Sequence, residues 1–204
     1  MKALLIIDVQ NDFCPGGALE VPKGDEVVPV INKLIDKFDR VIQSQDWHPG
    51  GHSSFASSHN KKNPFETVSM HYGEQVLWPD HCVQGSHGAA FHPDLNTTQT
   101  QVTVRKGFRT EIDSYSTFYE NDHKTKTGLS GYLKDRGITD LYVGGLATDF
   151  CVKWSVLDGI REGFNVTVIE DAVRGIDLEG SVDEAWKEME EAGAHIVRSD
   201  EIDN

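Results

Sequence analysis

Four reactive side chains lie at or just beyond the ends of segments predicted to be β-strands. Asp8 ends the first of these segments, Asp46 follows the second and Lys106 follows the third, while the fourth runs through two glycines to Cys151. Because ligands bind beyond the carboxyl ends of the strands in open parallel sheets, we expect two carboxylates, an ammonium group and a thiol to meet on one rim. This combination indicates nucleophilic catalysis by the thiol.

Cys151 is the candidate nucleophile. It is predicted to lie just inside the start of a helix, where unpaired backbone N–H groups and the helix dipole favour a thiolate. The N–H groups of Ala147 and Cys151 are candidates for binding the negative oxygen of a tetrahedral intermediate. Taken alone, a cysteine in such a position is more often a buried structural residue. The presence of Asp8 and Lys106 on the same rim favours the nucleophile.

Asp8 and Lys106 are the predicted partners of this thiol. Asp8 follows an apolar strand directly and precedes Val9, so we expect its carboxylate to be partly buried and to accept the thiol proton. Lys106 is the cation expected to hold Asp8 and to polarise the reacting group. Each residue also has an ordinary interpretation, Asp8 as a solvated strand end and Lys106 as a surface lysine.

Asp46, His48, His52 and His81 have the composition of a divalent-metal site. The first three lie within seven residues, and His81 belongs to the later segment W-P-D-H-C. Imidazole together with carboxylate suits Zn, Fe or Mn rather than Ca. Cys82 is not predicted to be a ligand. The other histidines are interpreted as solvated or structural; they are His59, His71, His87, His92, His123 and His195.

Aromatic side chains near these positions are candidates for the walls of a binding pocket. Phe13, Trp78 and Tyr115 could stack on a flat aromatic substrate, whereas Trp47 is interpreted as packing. The paired glycines at 16–17 and 144–145 lack the spacing of a phosphate-binding loop, which excludes nucleotide binding there.

The elements that must position these residues alternate between strand and helix. The predicted strands, interpreted as uniformly apolar, are Ala3–Asp8, Arg40–Gln45, Gln101–Arg105, Asp140–Gly144, Asn165–Glu170 and Ala194–Arg198. The predicted helices are about Gly24–Phe38, Thr125–Arg136, Asp149–Glu162 and Gly180–Ala192. This pattern favours a doubly wound α/β fold with a mainly parallel six-stranded sheet and helices on both faces.

The segment 47–100 interrupts this alternation of strands and helices, since no helix or strand is predicted within it. It holds seven of the nine histidines. A long irregular stretch inside a compact domain is usually functional, so we predict a metal-binding loop insertion within a single domain spanning residues 1–204.

Charge and composition exclude several classes of protein. A formal net charge of -14 without a basic stripe argues against nucleic-acid binding. No apolar run is long enough for a membrane span or a signal peptide. Three cysteines do not make a disulfide framework, and a reduced cytoplasmic location is the expectation.

Several motifs match one family. The chain resembles the nicotinamidases (pyrazinamidases) of the isochorismatase-like hydrolase superfamily over essentially its whole length. The matching segments are L-L-I-I-D-V-Q-N-D-F, Q-D-W-H-P-G-G-H-S-S-F, W-P-D-H-C-V-Q-G-S-H-G-A, K-G, D-S-Y-S-T-F-Y and G-L-A-T-D-F-C-V. The D-W-H-P and W-P-D-H-C segments are what narrow the resemblance to nicotinamidases.

The resemblance implies a role for each matching residue. It implies a catalytic triad of Asp8, Lys106 and Cys151, a backbone oxyanion donor at Ala147, and a cis peptide before Ala147. Implied metal ligands are Asp46, His48 and His81, with His52 a ligand in only some relatives. Implied substrate-pocket residues are Phe13, Trp78 and Tyr115, together with Ala147.

The resulting expectation is a metal-containing amidohydrolase that converts nicotinamide, and also pyrazinamide, to the acid and ammonia. One alternative is another amidohydrolase of the superfamily acting on a carbamoyl or ureide group, whose members generally lack the metal motif. An isochorismatase typically lacks the catalytic cysteine. A non-catalytic binding module needs neither the acid nor the cation nor the thiol. The fold often forms dimers or larger assemblies, so a homo-oligomer is possible.

Overall fold

The computed structural model describes residues 1–202. Its main sheet has six strands in the order β5-β2-β1-β6-β7-β8, and every pairing within it is parallel. The strands are β1 (Lys2–Ile7), β2 (Val41–Asp46), β5 (Thr100–Lys106), β6 (Asp140–Leu146), β7 (Asn165–Arg174) and β8 (His195–Val197). The helices are α1 (Val27–Ile35), α2 (Leu129–Asp135), α3 (Lys153–Arg161) and α4 (Ser181–Glu191). This arrangement confirms the predicted fold class.

The central strand β1 supplies two hydrophobic cores, because successive side chains of a strand point to opposite faces. Leu4 and Ile6 belong to the core beneath α1. Ala3, Leu5 and Ile7 belong to the core shared with α2, α3 and α4. Covering both faces of β1 accounts for its unbroken apolar sequence.

Two strands depart from the predicted uniformly apolar character. All six residues of β2 are buried although four of them are polar or charged, and Gln45 satisfies its amide by donating to Ala89 O at 2.9 Å. In the edge strand β5 burial alternates along the chain, with Val102 and Val104 packed against one core. An edge strand covered on one face needs apolar residues only at every second position.

The segment 47–100 is also more ordered than predicted. It contains an antiparallel hairpin formed by β3 (Thr67–Met70) and β4 (Gly73–Val76), and a short 3-10 turn at Ala56–Ser58. The hairpin has a polar sequence and lies apart from the main sheet, so it gives little hydrophobic signal. Among residues 1–202, no helix is long and apolar enough to cross a membrane.

The strand order reverses between β1 and β6, which is the topological switch point of this sheet. Connections lead from β1 outward through β2 to β5 on one side, and from β6 through β7 to β8 on the other. The chain leaving β1 and the chain leaving β6 therefore open a crevice at the carboxyl rim.

Candidate active site

The ammonium group of Lys106 lies at the centre of the rim. Its Nζ is 2.7 Å from Asp8 Oδ2, 2.7 Å from Asp46 Oδ1 and 3.3 Å from Cys151 Sγ. It also donates to Ser114 O at 3.0 Å. Parallel pairing of β2 with β5 places Asp46 beside Lys106 in register, which is why the sequence brings them together. The four reactive residues predicted from strand ends thus meet at one point.

Asp8 is fully buried and held from two sides. It adopts a positive φ of 46°, a conformation that Asp tolerates better than most residues. Ser44 on β2 donates to its Oδ1 at 2.7 Å. Across the crevice, a Cβ at position 145 would lie 2.0 Å from Ile7 O, so only glycine lets β6 approach β1 this closely.

Burial determines how this cluster is charged. Desolvation raises the pKa of the Cys151 thiol well above its usual value, with Lys106 opposing the rise. Desolvation also raises the pKa of Asp8, again with Lys106 opposing it. Burial alone would lower the pKa of Lys106, but Asp46 and Asp8 raise it well above normal. Burial therefore opposes the thiolate that a helix start favours, and Lys106 favours it.

Cys151 lies in a turn of π-helix, Thr148–Val152, that leads directly into α3. It is buried, as is Ala147, the residue before this turn. The peptide bond between Leu146 and Ala147 is cis, as the resemblance implies.

The carboxylate of Asp149 connects this turn to the loop before α4. It accepts hydrogen bonds from the backbone N–H groups of Ile176 and Asp177 at 3.0 and 2.9 Å, and from Ser181 Oγ at 2.6 Å. Because Ile176 lines the crevice, Asp149 fixes one wall relative to the thiol. The only sequence signal for this role is the position of Asp149 in the T-D-F-C segment.

Asp46, His48 and His81 form a buried group whose candidate ligand atoms all lie within 4.8 Å of one another. The Nδ1 atoms of His48 and His81 lie 2.9 and 2.8 Å from the backbone oxygens of Gly107 and Pro79. A carbonyl oxygen can only accept, so each Nδ1 carries the proton and each Nε2 presents a lone pair. These Nε2 atoms lie 3.3 and 3.5 Å from Asp46 Oδ2.

Three acceptor atoms therefore converge on one point that only a proton or a cation can occupy favourably. Although burial opposes it, the Asp46 carboxylate raises the pKa of His48, as expected for an imidazole that faces a negative charge. Glycine at position 107 lets the His48 ring approach the Gly107 carbonyl, since a Cβ at this position would lie 2.4 Å from that ring.

His52 is bound to protein groups on both sides of its ring. Its Nε2 lies 2.8 Å from Arg109 O and its Nδ1 lies 2.8 Å from Ser54 Oγ. It belongs with His48 and Asp113 to a second buried group of possible ligands. This group shares His48 with the first group but contains neither Asp46 nor His81. Its position in this structure is that of a residue packed behind His48, at a ring-centroid distance of 4.5 Å.

An aromatic cavity opens beside Cys151, with an empty volume of about 310 Å³ that includes its mouth. Trp78 and Tyr115 pack edge-on against Phe150, with ring centroids 4.8 and 5.6 Å away, and Phe13 packs against His81 at 5.5 Å. All three predicted pocket residues line this cavity, as does Ala147. The remaining lining residues are Leu19, Asp46, His81, Asp113, Phe150, Cys151 and Ile176.

Four of the residues that line the cavity were not predicted from the sequence, and two of these lie inside recognised motifs. Phe150 is the neighbour of Cys151, and Asp113 opens the D-S-Y-S-T-F-Y segment. Asp113 is buried, with its Oδ1 4.0 Å from His48 Nε2. Trp47, interpreted as packing, stacks on the Arg105 guanidinium at 3.9 Å. Cys82 is buried with its pKa raised well above normal by desolvation, and is absent from the groups of possible ligands among residues 1–202.

Comparison with known proteins places the chain in a family. The isochorismatase domain model matches residues 2–201. A nicotinamidase of Acinetobacter baylyi is 50% identical over 200 residues, covering 98% of this chain and 94% of the relative.

Two solved structures show the same relationship in three dimensions. A nicotinamidase/pyrazinamidase of Acinetobacter baumannii superposes with a TM-score of 0.96 at 54% identity, covering 98% of this chain and 96% of the other. A pyrazinamidase of Pyrococcus horikoshii in complex with zinc superposes with a TM-score of 0.79 at 34% identity, covering 97% and 98%. The chain therefore belongs to the isochorismatase family and, within it, to the nicotinamidase group.

Proposed function

We propose that the protein hydrolyses nicotinamide to nicotinate and ammonia through a thioester on Cys151, and that it also accepts pyrazinamide. The observation that carries the proposal is the meeting of Cys151, Asp8 and Lys106 on the wall of an aromatic cavity, beside the group of Asp46, His48 and His81. Relatives named nicotinamidase and pyrazinamidase, with coverage above nine-tenths of both chains, support this choice of substrate.

Asp46, His48 and His81 would hold one divalent metal ion. The fit rests on the two bare Nε2 atoms and the carboxylate oxygen that face one another, a donor set that suits Zn, Fe or Mn. When bound, such an ion supplies a Lewis-acid anchor for a pyridine nitrogen, which fixes the ring and so orients the carboxamide. The relative solved in complex with zinc supports a divalent metal ion in this protein.

The first half-reaction starts from a thiol and a carboxylate. Asp8 accepts the proton of Cys151 as the sulfur attacks the amide carbon, so the proton leaves the thiol only when it is needed. A sulfur–carbon bond forms and the carbonyl becomes an oxyanion, which the backbone N–H groups of Ala147 and Cys151 are assigned to stabilise. Asp8 then gives the proton to the departing nitrogen, the carbon–nitrogen bond breaks, and ammonia leaves a thioester.

The second half-reaction repeats the same roles with water. Asp8 accepts a proton from water as the oxygen attacks the thioester carbon. The carbon–sulfur bond then breaks, the thiol recovers its proton, and nicotinate leaves. Throughout both steps Lys106 keeps Asp8 and Asp46 in place and offsets their mutual repulsion, since its Nζ is within 2.7 Å of both carboxylates.

The test combines an activity assay with elemental analysis of the purified protein. We expect release of ammonia and nicotinate from nicotinamide, turnover of pyrazinamide, and one Zn, Fe or Mn ion per chain. His81→Asn should lose the metal and the activity, whereas His59→Asn should keep both, because His59 lies in the same insertion but binds Ser53 O. A metal-free protein that hydrolyses a carbamoyl compound and not nicotinamide would favour the alternative amidohydrolase.

A further inference from the structure

The hairpin β3–β4 reaches the cavity through one side chain. Within residues 67–76, all of which the structure describes, Gln75 alone is buried, with 1% of its surface exposed. Its neighbours along the hairpin are exposed or half-buried. A buried amide on an otherwise solvated hairpin must have its hydrogen-bonding groups satisfied, so its partners show what the hairpin contacts.

The Gln75 amide touches two residues that line the cavity. Its Nε2 lies 2.8 Å from the Tyr115 hydroxyl oxygen and 3.2 Å from Asp113 Oδ2, and it also donates to Val76 O at 2.7 Å. Its Oε1 accepts from the Tyr72 hydroxyl at 3.1 Å and from Asn121 Nδ2 at 3.2 Å.

The orientation of the Gln75 amide follows from a hydrogen bond that a backbone N–H group donates, because such a group can only donate. The Tyr115 backbone N–H donates to Asn121 Oδ1 at 2.9 Å, so the Asn121 amino group must be the end that faces Gln75. Only the oxygen of Gln75 can accept from it, which turns the Gln75 amino group toward Tyr115 and Asp113. The reverse orientation would place the Gln75 oxygen against the Asp113 carboxylate and the Val76 carbonyl.

The Tyr115 hydroxyl is therefore approached by donors from two sides. Besides Gln75 Nε2, the Trp78 indole N–H donates to it at 3.1 Å. An amide nitrogen and an indole nitrogen cannot accept a hydrogen bond, so the phenol proton cannot point at either of them. Among residues 1–202, the Tyr115 hydroxyl donates no hydrogen bond to another residue, and Tyr115 lines the cavity beside Cys151.

We propose that Gln75 is a positioning residue for substrate recognition, which turns the Tyr115 hydroxyl so that its proton is offered to an acceptor atom of the bound heteroaromatic amide. This inference rests on the proposed function. It assigns the hairpin a part in selecting the ligand: Gln75 orders Tyr115, and Tyr115 donates to the substrate. Held by the same amide, the Asp113 carboxylate stays against the cavity wall and does not take the phenol proton.

Gln75→Glu is the sharpest variant, because it keeps the shape and replaces the donor by an acceptor. The new carboxylate competes for the Tyr115 proton, and we expect kcat/KM for nicotinamide to fall about threefold to tenfold, mainly through KM. Glu74→Gln, on the same strand but exposed, is the matched control and should leave both constants unchanged. Tyr115→Phe should lose a similar factor by removing the proton itself.

The double variant separates positioning from general damage. If Gln75 acts through the Tyr115 proton, Gln75→Glu has less than a twofold effect in the Tyr115→Phe protein. Equal losses in both backgrounds would overturn the inference, as would a Gln75→Glu protein with wild-type KM. Should Gln75→Glu fail to fold, Gln75→Met is measured in the same two backgrounds with the same criterion. The assays are run after the wild-type protein is shown to hydrolyse nicotinamide, so failure of the proposed function is seen first and separately.

Discussion

Two ionic clusters lie at opposite ends of the sheet and have opposite ratios of basic to acidic side chains. At the carboxyl rim, the single ammonium of Lys106 serves the carboxylates of Asp8 and Asp46, and all three side chains are buried. At the far end of α3, the single carboxylate of Glu162 accepts from Lys126 at 3.1 Å and Lys134 at 2.9 Å.

The Glu162 cluster is well supplied with donors. Ser130 Oγ lies 2.5 Å from Glu162 Oε2 and the Tyr119 hydroxyl also donates, while the two lysines remain more than half exposed. Hydrogen bonds from Ser130 and Tyr119, followed by Lys134, hold the pKa of Glu162 well below its usual range. Its charge is satisfied while its cations stay hydrated, so this cluster serves stability.

The Lys106 cluster has fewer basic than acidic side chains, and it is buried away from solvent. Two ionised carboxylates against one ammonium leave a site that attracts a further proton or cation, and burial strengthens that tendency. Such an arrangement costs stability, and under the proposed function it prepares Asp8 to receive a proton and the group around Asp46 to receive a metal. Each cluster joins three charged groups, so the two differ in the ratio of acidic to basic groups and not in their number. We infer that this ratio distinguishes the proposed catalytic cluster from the structural one.

Removing the scarce cation should have the largest effect. Lys106→Met leaves two buried carboxylates without the ammonium group that compensates their charge, and we expect the free energy of unfolding to fall by about 3–5 kcal/mol. Urea unfolding measures this. Adding Asp8→Asn to the same protein should recover part of the loss, because it removes one uncompensated charge. An unchanged midpoint in Lys106→Met would show that the cluster is not short of positive charge.

Removing one of the surplus carboxylates should separate activity from stability. In Asp8→Asn we expect kcat/KM for nicotinamide to fall by about 10²–10⁴, since the proton acceptor is lost. Its resistance to urea should equal or exceed that of the wild type, because Lys106 then serves one carboxylate. Steady-state kinetics and urea midpoints on the same preparation decide this, and near-wild-type activity would contradict the role of Asp8.

The Glu162 cluster should show the reverse pattern. Glu162→Gln is expected to lower the free energy of unfolding by about 1–3 kcal/mol while leaving kcat and KM unchanged. Because the folded-state pKa is depressed, the stabilisation is full above the unfolded value near 4.5 and is lost as pH falls through the folded value. Unfolding midpoints of both proteins should therefore converge in acid. A difference that grows with acidity would refute this sign.

A single cation of that cluster should matter least. Lys134 is about half exposed, and Glu162 keeps three other donors without it. Lys134→Met should therefore change the free energy of unfolding by less than about 1 kcal/mol. Thermal unfolding in low and high salt measures this. A large loss at both ionic strengths would mean that the Glu162 charge depends on this one partner.

The sequence allowed prediction of the site because parallel strands end on one rim. Asp8, Asp46, Lys106 and Cys151 follow four different strands, and their convergence needed only the fold class. The contacts of Gln75 and Asp113 depend on how a polar hairpin folds back on a loop some forty residues later. Such contacts leave no periodic pattern in either segment, so the sequence could not predict them.

The charge state of the thiol was also out of reach of the sequence. Position at a helix start favours a thiolate, but the outcome depends on how completely the surrounding residues exclude water. With Cys151 buried beside Asp8 and Asp46, desolvation raises the pKa of the thiol, although Lys106 lowers it. The direction of this pKa shift follows from three-dimensional burial, which no local motif encodes.

The most direct test of the account is ammonia release from nicotinamide by Cys151→Ala, with Cys14→Ala as the matched control. Both cysteines are buried, but Cys14 is absent from the residues that line the cavity within the described chain. We predict that Cys151→Ala keeps its metal and its fold and loses turnover, while Cys14→Ala retains it. Ammonia release at the wild-type rate by Cys151→Ala would contradict the central claim that this thiol is the nucleophile.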